Sequence, residues 1–161
     1  MSRQGARENE RGFTLIEVIA TIIIMGIVFA IASSTWFTVA ESRRVDSATN
    51  QVVADLRLVH SRATNRLEDW RVNMDADTPN YRFYRKDPAT GNFTLVSSSS
   101  LPEHTEFLPT MGVSAIVFKP TAAAQITGAG GIKVAADDGS PCQVIEVNSV
   151  TSRTKVSTIA C

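Results

Sequence analysis

Arg11-Gly12-Phe13-Thr14-Leu15-Ile16-Glu17 is the stretch whose reading decides the fold, because it opens an apolar run that extends to about Phe37. Leu15, Ile16, Val18, Ile19, Ile22, Ile23, Ile24, Met25, Ile27, Val28, Phe29 and Ile31 follow with one ionisable residue, Glu17, among them. About 20 apolar residues cross a bilayer as a helix, so residues 13–37 are expected to do so. A carboxylate at mid-membrane costs about 2.5–3.5 kcal/mol on insertion scales and less toward the edge. Glu17 therefore calls for a partner and is a candidate functional residue. Residues 1–12 are a polar, charged leader, expected to be removed or disordered.

Beyond this run the pattern changes without a stop. Val45, Ala48, Val52, Leu56, Val59 and Ala63 recur at steps of three or four and share one helical face. No Gly or Pro lies between Gly26 and Pro79 to break the helix. One helix is predicted from Phe13 to about Leu67, on the order of 80 Å at about 1.5 Å per residue. Its first half, residues 13–37, is apolar all round; its second half, residues 38–67, is amphipathic and needs a cover. Gly26 marks a turn expected to be loosened or closely packed.

Residues 68–161 read as strands and turns. Arg71-Val72-Asn73-Met74, Tyr81-Arg82-Phe83-Tyr84-Arg85-Lys86 and Phe93-Thr94-Leu95-Val96 are strand candidates, the last two joined through Asp87-Pro88-Ala89-Thr90-Gly91-Asn92. Ser97 to Ser100 read as a loop, and Gly128-Ala129-Gly130-Gly131 as a flexible turn. Ser114-Ala115-Ile116-Val117-Phe118, Ile132-Lys133-Val134-Ala135, Cys142-Gln143-Val144-Ile145-Glu146-Val147 and Lys155-Val156-Ser157-Thr158-Ile159 complete the set. Helix first and strands afterwards predicts an α+β fold, with an antiparallel hairpin sheet covering the Val45, Val52 and Ala63 stripe.

Gly12-Phe13-Thr14-Leu15-Ile16-Glu17 resembles the processing site of type IV prepilins and type II secretion pseudopilins. The resemblance implies cleavage between Gly12 and Phe13 by a prepilin peptidase and N-methylation of Phe13. The ammonium so created lies four residues from Glu17, whose carboxylate is expected to pair with the Phe13 ammonium of a neighbouring subunit and so act in assembly; a pair within its own chain and snorkelling to the headgroups are the alternatives. The resemblance also implies an inner-membrane protein that crosses once, with its C-terminal domain on the periplasmic or extracellular side. Its partners would be other pilin or pseudopilin subunits through the N-terminal helix, an inner-membrane assembly platform and membrane lipid. Ile116-Val117-Phe118-Lys119-Pro120, Val144-Ile145-Glu146-Val147 and Ser152-Arg153-Thr154-Lys155-Val156 resemble the GspH/FimT class of minor pseudopilins. In that class a glycine commonly follows Phe-x-Pro and the last hairpin turns at Gly-Arg; the corresponding positions here are Ala122 and Ser152. Some FimT-like pilins bind DNA through a basic C-terminal segment, and Arg153 and Lys155 match it. Arg82, Arg85 and Lys86 would extend such a surface, although a strand edge protected by solvated charge explains these residues as well.

Two other readings of the N-terminus compete. An ordinary secretory signal would use Arg3, Arg7 and Arg11 and a small-residue site at Ala30-Ile31-Ala32. It leaves Glu17 unexplained and severs the apolar run from the amphipathic helix. A plain single-span anchor has no role for Glu17 either. The basic leader favours a cytoplasmic N-terminus, but Arg43 and Arg44 lie beyond the other end.

The 161 residues carry 16 basic and 16 acidic side chains, a balance that argues against a chain devoted as a whole to coating nucleic acid. Cys142 and Cys161 are the two cysteines, and outside the cytoplasm an even pair suggests a disulfide. Catalytic, cofactor and metal constellations are not read. His60 and His104 lack metal-like spacing to Cys, Asp or each other. Asp137-Asp138-Gly139-Ser140 lacks the ligand spacing of a calcium loop, and the Gly128 turn lacks the Lys-Ser/Thr ending of a phosphate loop. The chain thus reads as a structural subunit of a secretion pseudopilus or type IV pilus, minor rather than bulk. A DNA-capturing competence pilin is the alternative, and a membrane-anchored enzyme is disfavoured.

Gly12→Val should leave the leader attached, because the resemblance puts the scissile bond after a residue with no side chain. Intact-mass measurement should then find no methylated Phe13 terminus, whereas a normal one would refute the processing site.

Overall fold

The computed structural model describes residues 13–121 and 123–157. Among the described residues one helix, α1 (Leu15–Arg66), precedes nine strands: β1 (Trp70–Met74), β2 (Asn80–Lys86), β3 (Phe93–Ser100), β4 (Thr105–Phe107), β5 (Val113–Phe118), β6 (Ala124–Gly128), β7 (Ile132–Ala136), β8 (Cys142–Val147) and β9 (Thr154–Ser157). The α+β class holds. The chain divides into two units, one ending at Val39 and the other beginning at Ala40.

In the first unit every residue from 13 to 33 is exposed. Leu15–Ser33 has a mean hydropathy of 2.7, and none of it is buried. Its hydroxyls turn inward on the backbone. Thr21 Oγ1 donates to the Val18 carbonyl at 2.8 Å and Ser33 Oγ to the Ala30 carbonyl at 3.1 Å, which lowers the cost of placing them in an apolar medium. The helix passes through Gly26 unbroken, and a Cβ there would meet nothing within 4 Å in this chain.

The second unit is built on the amphipathic half of α1. Val45, Ala48, Val52, Leu56, Val59 and Ala63 are each 1% exposed or less. Thr49 and Val53 widen the buried stripe beyond its periodic positions. Opposite it lie two antiparallel sheets rather than the one expected, ordered β3-β2-β1-β5-β6 and β4-β7-β8-β9. The chain alternates between them, leaving the first sheet for β4, returning for β5 and β6, and ending in the second. A hairpin reading of the sequence misses this, because β1 pairs not only with its neighbour β2 but also with β5, Trp70 opposite Phe118. Helix and both sheets share one core in which Ala48, Leu56, Phe107, Ile116, Phe118, Ile132 and Ile145 meet.

Two local expectations change, and one strand, β4, appears where none was expected. Ser97 to Ser100 are strand, not loop, because they complete the register of β3 on β2, Tyr81 opposite Ser99 and Phe83 opposite Ser97. β4 is too short to show a period, yet Thr105 and Phe107 are buried and pair with Ala136 and Val134. The glycine run is crowded as well as turned. A Cβ on Gly112 would run into the Ala129 carbonyl, and one on Gly128, at φ 109°, into the Gly112 carbonyl. The two backbones approach too closely for any side chain. The Asp87 turn forms as read: its carboxylate accepts the Ala89 amide at 2.8 Å and the Thr90 hydroxyl at 3.1 Å. These bonds, the Ala89 amide first, hold the Asp87 carboxyl below its usual range.

Polar contacts fasten each sheet to the helix. Gln143 Nε2 on β8 donates to Asp46 Oδ1. On the other sheet Tyr81 Oη donates to Asp55 Oδ2 at 2.6 Å, while Gln51 Nε2 donates to Tyr81 Oη at 2.9 Å and to the Ser100 carbonyl at 2.8 Å. Burial, and then the Asp55 bond, push the Tyr81 phenol from 10.0 up to about 12. The folded state therefore favours the protonated phenol. This contribution is complete below about pH 10 and fades as pH rises toward 12.

Tyr81→Phe should lower stability by about 1–3 kcal/mol, since Asp55 and Gln51 lose their partner. In urea titrations of the full chain in detergent, the variant should also lose less stability than wild type between pH 10 and 12.

Candidate functional site

The candidate assembly site begins at Phe13, which is 81% exposed, and Glu17, in the first turn of α1. Gly12 and the rest of the leader lie outside the described residues. Phe13 precedes the helix, so helical i, i+4 geometry does not fix its approach to Glu17. Thr14 occupies the cap position. Its carbonyl accepts the amides of Glu17 at 3.1 Å and Val18 at 3.3 Å, and its Oγ1 accepts the Glu17 amide at 3.4 Å. Thr14-x-x-Glu17 is thus a capping-box pattern, legible in the sequence but overlooked beside the processing motif. The Glu17 carboxylate also sits at the positive end of the helix dipole.

Cys142 lies on β8, 8% exposed, opposite Ala135 of β7, and no described cysteine is a free thiol. Cys161 lies outside the described residues.

Arg153 and Lys155 are brought together. Both are exposed and line a groove of about 640 Å³ with Glu146, Asn148 and Thr151. Lys155 of β9 pairs in register with Glu146 of β8, which sets a carboxylate beside the two cations. Arg82, Arg85 and Lys86 belong to β2 in the other sheet and do not share this groove. Arg82 and Lys86 are already paired, with Asp75 at 2.5 Å and Asp69 at 3.1 Å.

The turn before β9 accounts for serine at the position where glycine was expected. Ser152 holds φ 52° and donates its amide to the Asn148 carbonyl at 2.8 Å. Asn148 Oδ1 accepts the amides of Val150 and Thr151, each at 2.9 Å. The Asn148 side chain organises the turn, so the left-handed residue need not be glycine. Ala122, the other departure, lies outside the described residues.

The remaining ionisable candidates occupy structural settings. His60 packs against Phe118 with ring centroids 5.8 Å apart and planes tilted by 55°, its Nε2 shielded and without a hydrogen-bond partner. His104 pairs with Asp137 at 3.1 Å. Asp138 Oδ1 accepts the Ser140 amide at 3.1 Å, which caps a polar hairpin tip. Among the described residues no group of three or more His, Cys, Asp or Glu side chains is placed to hold a metal ion.

Comparison with known proteins bears on both ends of this picture. Residues 7–33 match the prokaryotic N-terminal methylation motif. No curated protein sequence matches. The structure of the minor pseudopilin EpsH from the type 2 secretion system of Vibrio cholerae matches with a TM-score of 0.52 and 12% identity, over 70% of this chain and 97% of that one. A crystal structure of the same Vibrio cholerae pseudopilin gives 0.49 and 12%, over 73% and 94%. The chain therefore carries the methylation motif at the head of its apolar helix and shares the pseudopilin fold.

Proposed function

We propose that this protein is a minor pilin-like subunit of a type II secretion pseudopilus or type IV pilus, of the GspH/FimT kind. The observation that carries the reading is Leu15–Ser33, an apolar stretch with no cover of its own, which begins inside the methylation motif and belongs to the same helix as the domain's core stripe. A surface of this kind is stable in lipid or against like helices. On this reading a prepilin peptidase cuts after Gly12 and Phe13 is N-methylated. The helix resides in the inner membrane with residues 68–161 on the outer side, and an assembly platform draws it into the filament. The role is structural, not enzymatic.

Glu17 is the register device of this assembly. Cleavage creates an ammonium at Phe13. The Glu17 carboxylate pairs with the Phe13 ammonium of a neighbouring subunit, so its burial cost is recovered only when the helices stand in register. The exposure of both residues and the position of Phe13 outside the helix support a partner in another chain. Cys142 and Cys161 form a disulfide that secures the C-terminal end, worth about 3 kcal/mol in the loop-entropy description. In support, Cys142 is not free and the chain has two cysteines in all.

The second reading is a DNA-binding competence pilin. Arg153 and Lys155, exposed on one groove, favour it. Glu146 opposite Lys155, and the diversion of Arg82 and Lys86 into ion pairs, favour the first.

Glu17→Ala should insert in the membrane and be cleaved as wild type is, yet enter filaments poorly; equal incorporation would refute the pairing. The purified protein should show no salt-sensitive duplex binding at physiological ionic strength. A micromolar affinity that falls steeply with salt, and weakens with Arg153→Ala and Lys155→Ala together, would promote the second reading.

A further inference from the structure

The five-stranded sheet has a second face, turned away from α1. β1 is its central strand; Trp70, Val72 and Met74 enter the core, while Arg71 and Asn73 alternate onto the outer face. The Arg71 guanidinium carbon stands 4.4 Å from the ring centroid of Phe93 and 4.8 Å from that of Tyr84. Register places Tyr84 and Val117 on either side of Arg71, and Leu95, 57% exposed, beyond Tyr84.

This cation is held but not satisfied. Arg71 Nε and Asn73 Oδ1 are shut off from solvent, and neither has a hydrogen-bond partner. Among the described residues the ion pairs are Arg82 with Asp75, Lys86 with Asp69 and His104 with Asp137, so no carboxylate lies within 4.0 Å of Arg71. The neighbouring cations Arg82 and Lys86 are each taken up by an aspartate, whereas Arg71 is not. The two rings hold the guanidinium between them. Its terminal nitrogens are not among the buried unpaired atoms and make no hydrogen bond within the described residues, which leaves donors of the kind that receive a carboxylate.

We propose that the outer face of the five-stranded sheet docks a protein partner that presents a carboxylate set among apolar side chains. Arg71 receives the carboxylate; Tyr84, Phe93, Leu95 and Val117 receive its apolar neighbours. Arginine and tyrosine with an apolar surround is the composition of an interface centre. Charge complementarity selects a carboxylate-bearing protein over nucleic acid. A duplex presents a phosphate about every 1.7 Å and binds through several cations at once, whereas Arg82 and Lys86 beside Arg71 are already held by aspartates. The surface shares no residue with the Phe13 and Glu17 region or with the Arg153 groove, and the proposal does not depend on the assembly reading.

The test uses the full-length protein in the membranes of the cell that makes it. Leu95, at the rim of the face, is replaced by p-benzoylphenylalanine, and adducts formed under ultraviolet light are mapped by mass spectrometry. The expected adduct is a protein segment with an Asp or Glu among apolar residues close to the cross-linked position. Arg71→Gln should reduce its yield about tenfold or more. Arg71→Glu combined with Arg at the partner's acidic position should restore it. Melting of the domain in detergent checks that each variant folds, and Arg71→Lys, which keeps the charge but loses the fork, replaces Arg71→Gln should the latter not fold. An adduct to nucleic acid or lipid, no adduct, or a yield indifferent to the Arg71 variants would overturn the proposal.

Discussion

Two sheets cover one helical stripe, and that shared burial is the constraint on which the domain depends. Neither sheet has a core of its own. Phe107, Ile132 and Ile145 from one and Trp70, Ile116 and Phe118 from the other belong to the same cluster as Ala48, Val52, Leu56 and Val59. Burying a valine or leucine side chain contributes about 1.5–3 kcal/mol. Removing the helix would therefore expose the inner faces of both sheets at once. The small residues Ala48 and Ala63, both fully buried, let the strands come close to the helix axis. The clamps through Gln143 and Tyr81 fix rotation about that axis, which non-directional apolar burial leaves undetermined.

Much of this was legible. The stripe at Val45, Ala48, Val52, Leu56, Val59 and Ala63 follows from spacing alone, since period 3.6 in an unbroken run has one structural meaning. The apolar run after Gly12 follows from length, and the Asp87 turn from its side-chain chemistry. What escaped has a common cause: it is decided by partners distant in sequence. β4 is three residues long and takes its identity from β7. Ser97 to Ser100 are strand because β2 supplies a register that serine propensity does not signal. The division into two sheets is set by β1 choosing β5, some forty residues away, as its second neighbour.

The candidate sites divide in the same way. Glu17 stands out because a charge in an apolar run is anomalous by composition. Thr14 was hidden because a capping residue looks like any other polar residue beside a strong motif. Ser152 read as a departure from a glycine position; its left-handed backbone is explained only by the two amides that Asn148 gathers. Arg71 gave no signal at all, since its stacking on Tyr84 and Phe93 arises from cross-strand neighbours and not from adjacency in the chain.

The alternation of strands between sheets has a consequence for the order in which the chain becomes available. A chain that emerges N-terminus first presents the stripe ending at Ala63 long before its cover. The five-stranded sheet is complete only at β6, and the four-stranded sheet only at β9. At about 5–20 residues per second of synthesis, the interval between Ala63 and Ile145, the last residue to join the core cluster, is on the order of ten seconds. For that time valines meant for the interior face water or whatever binds them first. The five-stranded sheet can close its part of the stripe once β6 is made, whereas the other part waits for β8; β9, which adds nothing to the cluster, only finishes the edge.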